Sequence, residues 1–246
     1  MKNVYDKSNF FDEYQNMRSN EINANNLIEI PIMKSILPEV NGKSILDLGC
    51  GTGDMDKYFI KRGAKRVVAT DISSNMINTA KEENADENIE YKVLSMENLS
   101  QIDEKFDIVY SSLAFHYIED FDKLISDIYS LLTPNGILIF SQESPINTAT
   151  SKQSADHVNK LEKDGKTYYL LNGYCKEGEI NVLWNDVFVT KYHRTYATLV
   201  NTLIKNNFKI LEMIDSYATE EAIKLCPKLK RQEDKPYFTF VKAQKL

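Results

Sequence analysis

Leu46-Asp47-Leu48-Gly49-Cys50-Gly51-Thr52-Gly53 is an apolar run that breaks into a glycine cluster, the pattern of a buried strand turning into a helix. Ser44-Ile45-Leu46-Asp47-Leu48 suits a strand buried on both faces, as in a parallel sheet. Downstream, Tyr58 and Phe59 mark a helix, with Gly63 suited to its C-terminal cap. Between strand and helix, Gly49 and Gly51 let the backbone approach a ligand without Cβ interference and take positive φ. The helix that follows presents unpaired N–H groups at its start.

On either side of this stretch, strand and helix signals alternate. Arg66–Thr70 reads as a second strand ending at Asp71, and Ser73 or Ser74 caps a helix carrying Met76, Ile77 and Ala80 on one face. Ile89–Leu94 and Phe106–Tyr110 read as strands three and four. Leu124, Ile128, Leu131 and Leu132 mark a helix ended by Pro134-Asn135-Gly136, and Ile137–Phe140 is strand five. This order predicts an α/β fold, a parallel sheet flanked by helices with right-handed connections. Upstream, residues 1–40 read as one or two helices, from the spacing of Tyr14 with Met17 and of Ile28, Ile32 and Ile36. After Glu143 the alternation lapses. Residues 144–190, with Trp184, Tyr168, Tyr169, Tyr174 and the turn-like Asn172-Gly173, read as a substrate lid or inserted hairpin. A helix near 194–206 and strands Phe208–Ile214 and Tyr237–Val241 close the chain. The expectation is one domain over 1–246: a helical cap (1–40), a ligand-binding core (43–142), the lid insertion (144–190) and the remaining sheet (191–246).

Composition narrows the partners. The 246 residues are 42% hydrophobic and 27% charged, ordinary for a soluble domain. No apolar run reaches the ~18 residues of a membrane span, and the N-terminus lacks a signal-peptide core. A cytoplasmic protein is expected. Net charge is −6, from 30 basic and 36 acidic side chains. The basic run Lys224–Arg231 gives way to Glu233 and Asp234, a solvated face rather than a phosphate-binding patch, so no nucleic-acid partner is expected. Cys50, Cys175 and Cys226 form no CxxC pair and there are three histidines, so no metal site is expected.

Asp71 follows the glycine cluster by about 20 residues, at the tip of the next strand, where a carboxylate accepts both hydroxyls of a ribose. Two readings share that geometry. A dinucleotide-dependent oxidoreductase wants G-x-G-x-x-G, but Gly49 and Gly51 are followed by Asp54 where the last glycine belongs. An acid there repels a pyrophosphate and suits a cationic ligand, as does Asp47.

The stretch 43–142 resembles the class I S-adenosylmethionine-dependent methyltransferases, type 11 branch. The pieces ILDLGCGTG, VVATDISSNMINTA, LSMENL, FDIVYSSLAFHYI and LLTPNGILIFSQE stand in the family's order. The resemblance implies a Rossmann-like seven-stranded, mostly parallel sheet of order 3-2-1-4-5-7-6 with the last strand antiparallel. It implies S-adenosyl-L-methionine as cofactor. Gly49, Cys50 and Gly51 would meet its methionine end, with Asp47 near the amino group and Ser111 lining the same moiety. Asp71 would hold the ribose, with Ile72 and Met76 on the adenine side. Where the family has an acid and a small residue, this chain has Ser95-Met96-Glu97 as the adenine contacts. Tyr14 and Arg18 fall on the N-terminal helix that folds over the cofactor in similar enzymes. A cofactor-binding protein without turnover remains an alternative.

Methyl transfer is an in-line displacement that asks mainly for alignment and exclusion of water. The expected partner is a small-molecule methyl acceptor. His116 and Tyr117 after strand four, Glu143 after strand five, and Tyr192-His193-Arg194 before the late helix are its candidate contacts. His116 and His193, which titrate near neutrality, are the candidate bases, and Arg194 a clamp for an anionic acceptor group.

Overall fold

The computed structural model describes residues 6, 22–150, 160–184 and 187–246. A π turn at Asn25–Glu29 leads into α1 (Ile30–Ile36). Then come β1 (Ser44–Leu48), α2 (Asp54–Lys61), β2 (Arg66–Asp71), α3 (Ser74–Glu83), β3 (Ile89–Val93) and β4 (Phe106–Ser111). These are followed by α4 (Phe121–Leu131), β5 (Leu132–Glu143) and α5 (Pro145–Thr150). Hairpins β6 (Lys160–Lys163)–β7 (Lys166–Tyr169) and β8 (Gly178–Trp184)–β9 (Val187–His193) precede α6 (Tyr196–Lys205), β10 (Phe208–Asp215), α7 (Glu220–Leu225) and β11 (Phe238–Lys245).

The main sheet has seven strands in the order β10-β11-β5-β4-β1-β2-β3. Strands β1 to β5 run parallel, and β11 lies antiparallel between β5 and β10. With β10 and β11 counted as the sixth and seventh core strands, this is the expected order.

Successive side chains of a strand point to opposite faces, and both faces here are covered. Leu46, Leu48, Val68 and Val109 pack against Ile125 and Ile128 of α4 and Leu199 and Leu203 of α6. Ile45, Val67, Ala69 and Ile108 pack against Ile32, Met33 and Ile36 of α1, Phe59 of α2 and Ile77 of α3. Burying such a side chain contributes roughly 1.5–3 kcal/mol, which explains strands read as unbroken apolar runs. The helix starts are set locally. Ser73, Asp120 and Thr195 accept from Met76 N, Lys123 N and Thr198 N, so α3, α4 and α6 each begin at a side-chain cap.

The described residues between 144 and 190 form more regular structure than expected. The β6–β7 turn is Asp164-Gly165, both at positive φ (52° and 70°), as a two-residue hairpin requires. The β8–β9 hairpin packs on α5 and on the short turn Phe115–Tyr117 after β4. Among the described residues no helix is long and apolar enough to cross a membrane, and no His/Cys/Asp/Glu group is set to hold a metal.

Candidate active site

Strand order reverses between β1 and β4, and ligands of open α/β sheets sit beyond the strand carboxyl ends at that point. The loop after β1 lies there. Gly49 and Gly51 adopt φ of 78° and 56°. A Cβ on Gly49 would lie 2.7 Å from Ala114 Cβ and 3.2 Å from Met96 Cε, whereas one on Gly51 would meet nothing within 4 Å. Gly49 is therefore fixed by packing, while Gly51 faces open space. The N–H groups of Gly49 and Cys50 donate to Thr70 O (2.7 and 3.0 Å), that of Gly53 to Cys50 O (3.1 Å), and that of Gly51 to Asp71 Oδ2 (3.1 Å). With these donors turned inward, the loop is a poor pyrophosphate cradle. Asp47 and Asp56 lie buried nearby. The loop thus fits a cationic ligand.

Asp71 holds the neighbouring tip, accepting from Gly51 N and from Ser73 N (2.9 Å). Burial pushes its carboxyl upward, opposed by those two N–H groups. Each oxygen keeps a second lone pair, so the carboxylate can still accept two ribose hydroxyls. A residue the sequence reading missed stands beside it: Asp6 accepts from Ser73 Oγ (2.6 Å) and Asn75 N (3.3 Å) at the start of α3. The Cys50 thiol is pushed well up by burial and by Asp56, Asp71 and Asp47, which makes it inert.

The other expected cofactor residues are placed as follows. Ile72 is half-buried after β2, and Met76 is buried on α3. Ser95 caps the short helix Met96–Gln101 through Glu97 N (3.2 Å), and Glu97 is exposed. Ser111 is fully buried and donates to Leu48 O (2.7 Å), a tie between β4 and β1. Tyr14 and Arg18 lie outside the described residues.

On the acceptor side the structure brings together His116, Tyr117, Glu143 and Lys191. His116 Nδ1 accepts from Glu143 N (3.3 Å), so the proton sits on Nε2. Burial pushes this ring down to about 3, with Lys191 and Arg194 adding to the effect against Glu143. His116 is therefore a neutral donor near neutral pH rather than a base. Lys191, unmarked in the sequence, forms an ion pair with Glu143 and lies over the Tyr117 ring at 5.8 Å. Burial works against its charge, but Glu143 prevails and the ammonium is held above its ordinary value.

His193 and Arg194 are committed to the fold. His193 Nδ1 lies 2.6 Å from Thr148 Oγ1 and Nε2 2.7 Å from Tyr174 O, joining β9, α5 and the loop before β8. Arg194 donates to the carbonyls of Ile118 and Glu119 and covers the Phe121 ring at 5.0 Å. Burial lowers it to about 10. Glu143 pairs with Lys191, not with Arg194. Tyr192 points away from Lys191 and His193, its hydroxyl 3.4 Å from Glu119, because alternate residues of β9 face opposite sides. His193→Ala leaves Thr148 and the Tyr174 carbonyl without this partner and should lower stability by roughly 2 kcal/mol, read by thermal melting. A catalytic role alone would leave the melt unchanged.

Residues 46–140 match the methyltransferase domain family. A crystal structure of an S-adenosylmethionine-dependent methyltransferase from Mesorhizobium loti is 32% identical, covers 88% of this chain and 97% of its own, and has a TM-score of 0.80. A second, from Listeria monocytogenes and assigned to the same class, is 31% identical over 89% and 98% of the two chains, with a TM-score of 0.78. An uncharacterized protein of Haemophilus influenzae is 39% identical over 99% of this chain and 97% of its own length. Shorter matches reach a malonyl-[acyl-carrier protein] O-methyltransferase of Pectobacterium atrosepticum, 32% identical over 44% of this chain and 41% of that protein. They also reach a ubiquinone/menaquinone biosynthesis C-methyltransferase of Hydrogenovibrio crunogenus, 33% identical over 51% and 52%.

Proposed function

The chain belongs to the S-adenosylmethionine-dependent methyltransferases, and from that membership we propose that its acceptor is a small molecule seated where β4, β5 and β9 converge. The enzyme class and the cofactor follow from the family. The acceptor reading is carried by one observation: His116, Tyr117, Glu143 and Lys191 meet at the strand ends adjoining the glycine loop. The O- and C-methyltransferases it matches in part act on different acceptors, and the chain spans only 41% and 52% of their lengths. The acceptor is therefore argued from this chain's own residues.

Bound S-adenosylmethionine supplies a methyl group already activated by its sulfonium. Gly49–Gly51 would let the backbone lie against the methionine end, Asp47 would hold its amino group, and Asp71 would hold the ribose. His116, protonated at Nε2, donates a hydrogen bond to the acceptor. Lys191, fixed by Glu143, places positive charge beside Tyr117. Neither His116 nor Lys191 is held near the pKa of a good base: His116 is depressed and Lys191 is raised. The chain's contribution is alignment and exclusion of water, as an in-line transfer from an activated donor needs.

The test is formation of S-adenosylhomocysteine from S-adenosylmethionine across a panel of small acceptors. Turnover only with protein or RNA would sink the acceptor reading. In a separate calorimetric titration, Asp71→Ala should weaken S-adenosylhomocysteine binding by roughly 1–3 kcal/mol, the worth of a charge-assisted hydrogen bond. Unchanged affinity in calorimetry removes Asp71 from the ribose.

A further inference from the structure

Asp56, the third residue of α2, looks in sequence like a solvated helix acid, yet it is 0% exposed and Asp47 only 2%. The two side chains face each other within hydrogen-bond reach. Written as two carboxylates, Asp47 Oδ1 and both oxygens of Asp56 are buried acceptors without a well-formed hydrogen bond, the Tyr91 phenol lying within reach of Asp56. Two facing carboxylates become partners only when one proton lies between them. The surroundings enforce that proton. The charged groups acting on the pair most strongly are acids: Asp71 from the tip of β2, Glu29 from the turn before α1, and Asp54 on α2 itself. Among the described residues, the Tyr91 phenol of β3, which also reaches Asn84 O at 3.3 Å, and the Cys50 thiol are further titratable neighbours. The dipole of α2 favours an ionised Asp56, but burial outweighs it and raises the carboxyl; Asp56 is the more enclosed of the two, with both oxygens buried and unsatisfied where Asp47 has only Oδ1 so placed.

We propose that Asp56 is a positioning residue for the cofactor: it keeps the shared proton and donates it in a hydrogen bond to Asp47, holding that carboxylate ionised for the ammonium group of S-adenosylmethionine. This rests on the reading that the methionine end lies against Gly49–Gly51. The sign of the pH effect follows. Burial pushes Asp47 up to about 7, the hydrogen bond from Asp56 works downward, and Asp71 and Glu29 add to the rise. Below that value Asp47 takes a second proton, which must leave to solvent before an ammonium binds. Affinity for an amino-bearing ligand therefore falls as pH falls, by up to about tenfold per unit.

The experiment is calorimetric titration of the full chain at about pH 6, 7 and 8. The probes are S-adenosylhomocysteine, which carries the ammonium, and 5′-methylthioadenosine, which lacks the amino-acid end. The proteins are wild type, Asp56→Asn and Asp56→Leu. Expected are S-adenosylhomocysteine binding that weakens about tenfold or more from pH 8 to 6, and a flat profile for methylthioadenosine. Asp56→Leu, with no donor, should bind S-adenosylhomocysteine about tenfold more weakly at pH 7, whereas Asp56→Asn, which keeps an N–H donor, should stay within about threefold of wild type. A flat wild-type profile, or Asn as weak as Leu, overturns the proposal. Failure of both ligands to bind overturns instead the cofactor-site reading beneath it. Should Asp56→Leu not fold, the wild-type profile and the proton released, measured in buffers of differing ionisation enthalpy, decide alone.

Discussion

Gly49→Ala will destabilise the fold by about 3 kcal/mol and remove measurable S-adenosylhomocysteine binding, with methyl transfer down about a hundredfold or more. Two penalties add. An alanine at φ 78° sits in the left-handed region, which costs roughly 1–2 kcal/mol. Its Cβ would also stand 2.7 Å from Ala114 Cβ, far inside van der Waals contact. Neither side yields easily. Ala114 is buried in the core cluster with Met96 and Phe115, and Gly49 is tied to Thr70 O through its N–H. Such overpacking typically costs a further 1–3 kcal/mol. The relief available is a shift of the loop away from Ala114, and a displacement of about 1 Å at a positioning element costs roughly a hundredfold in rate.

Gly51→Ala supplies the control. Its φ of 56° also lies in the left-handed region, but a Cβ there meets nothing within 4 Å. Stability should fall by only about 1 kcal/mol, while the added methyl occupies space offered to the cofactor. Calorimetry with S-adenosylhomocysteine, paired with thermal melting, separates the two variants. Wild-type affinity in Gly51→Ala would place the cofactor elsewhere.

Those glycines were legible because the local chemistry is unambiguous: an apolar strand entering a glycine cluster has few structural solutions. The parallel core was legible for the same reason, since strands buried on both faces read as apolar runs bounded by turns. The insertion was not. All four residues of β6 are exposed, so no apolar signal marks the strand or flanks the Asp164-Gly165 turn. In β9 the inward residues Val189, Lys191 and His193 alternate with Phe188, Thr190 and Tyr192. Once His193 is placed inside, the period of two puts Lys191 inside as well, which the sequence reading did not use. The sequence reading takes the consecutive residues Tyr192, His193 and Arg194, where the strand turns only alternate residues to one side. Glu29 escaped similarly: it is fully buried and accepts from Ser112 Oγ (2.8 Å) and Ser141 Oγ (2.5 Å), partners far along the chain. Buried acids reveal themselves only through contacts of this range, which a single sequence does not display.

Lys191→Met should destabilise the protein by roughly 3 kcal/mol, and Lys191→Met combined with Glu143→Gln should recover most of that loss. The side chains of Lys191 and Glu143 are 7% and 16% exposed, so their pairing is little screened by solvent. Removing one partner of a buried pair costs roughly 3–5 kcal/mol, chiefly because the other charge is left uncompensated. The low end applies because Lys235, itself lowered to about 8 by burial and by Arg231, still acts on Glu143. Neutralising both members removes the stranded charge, which is why the double variant recovers. Chemical denaturation of the single and double variants measures the coupling directly. Additive losses would show that the ion pair does not bear on folding. The same variant carries a second, independent reading. Lys191 is one of the cations that, after burial, hold the His116 ring down to about 3. Its removal should let that ring titrate at a higher pH, visible as a shifted imidazole resonance in a pH series. Lost stability with an unmoved His116 would place Lys191 in the scaffold alone; a coupled shift would tie it to the electrostatics of the acceptor edge.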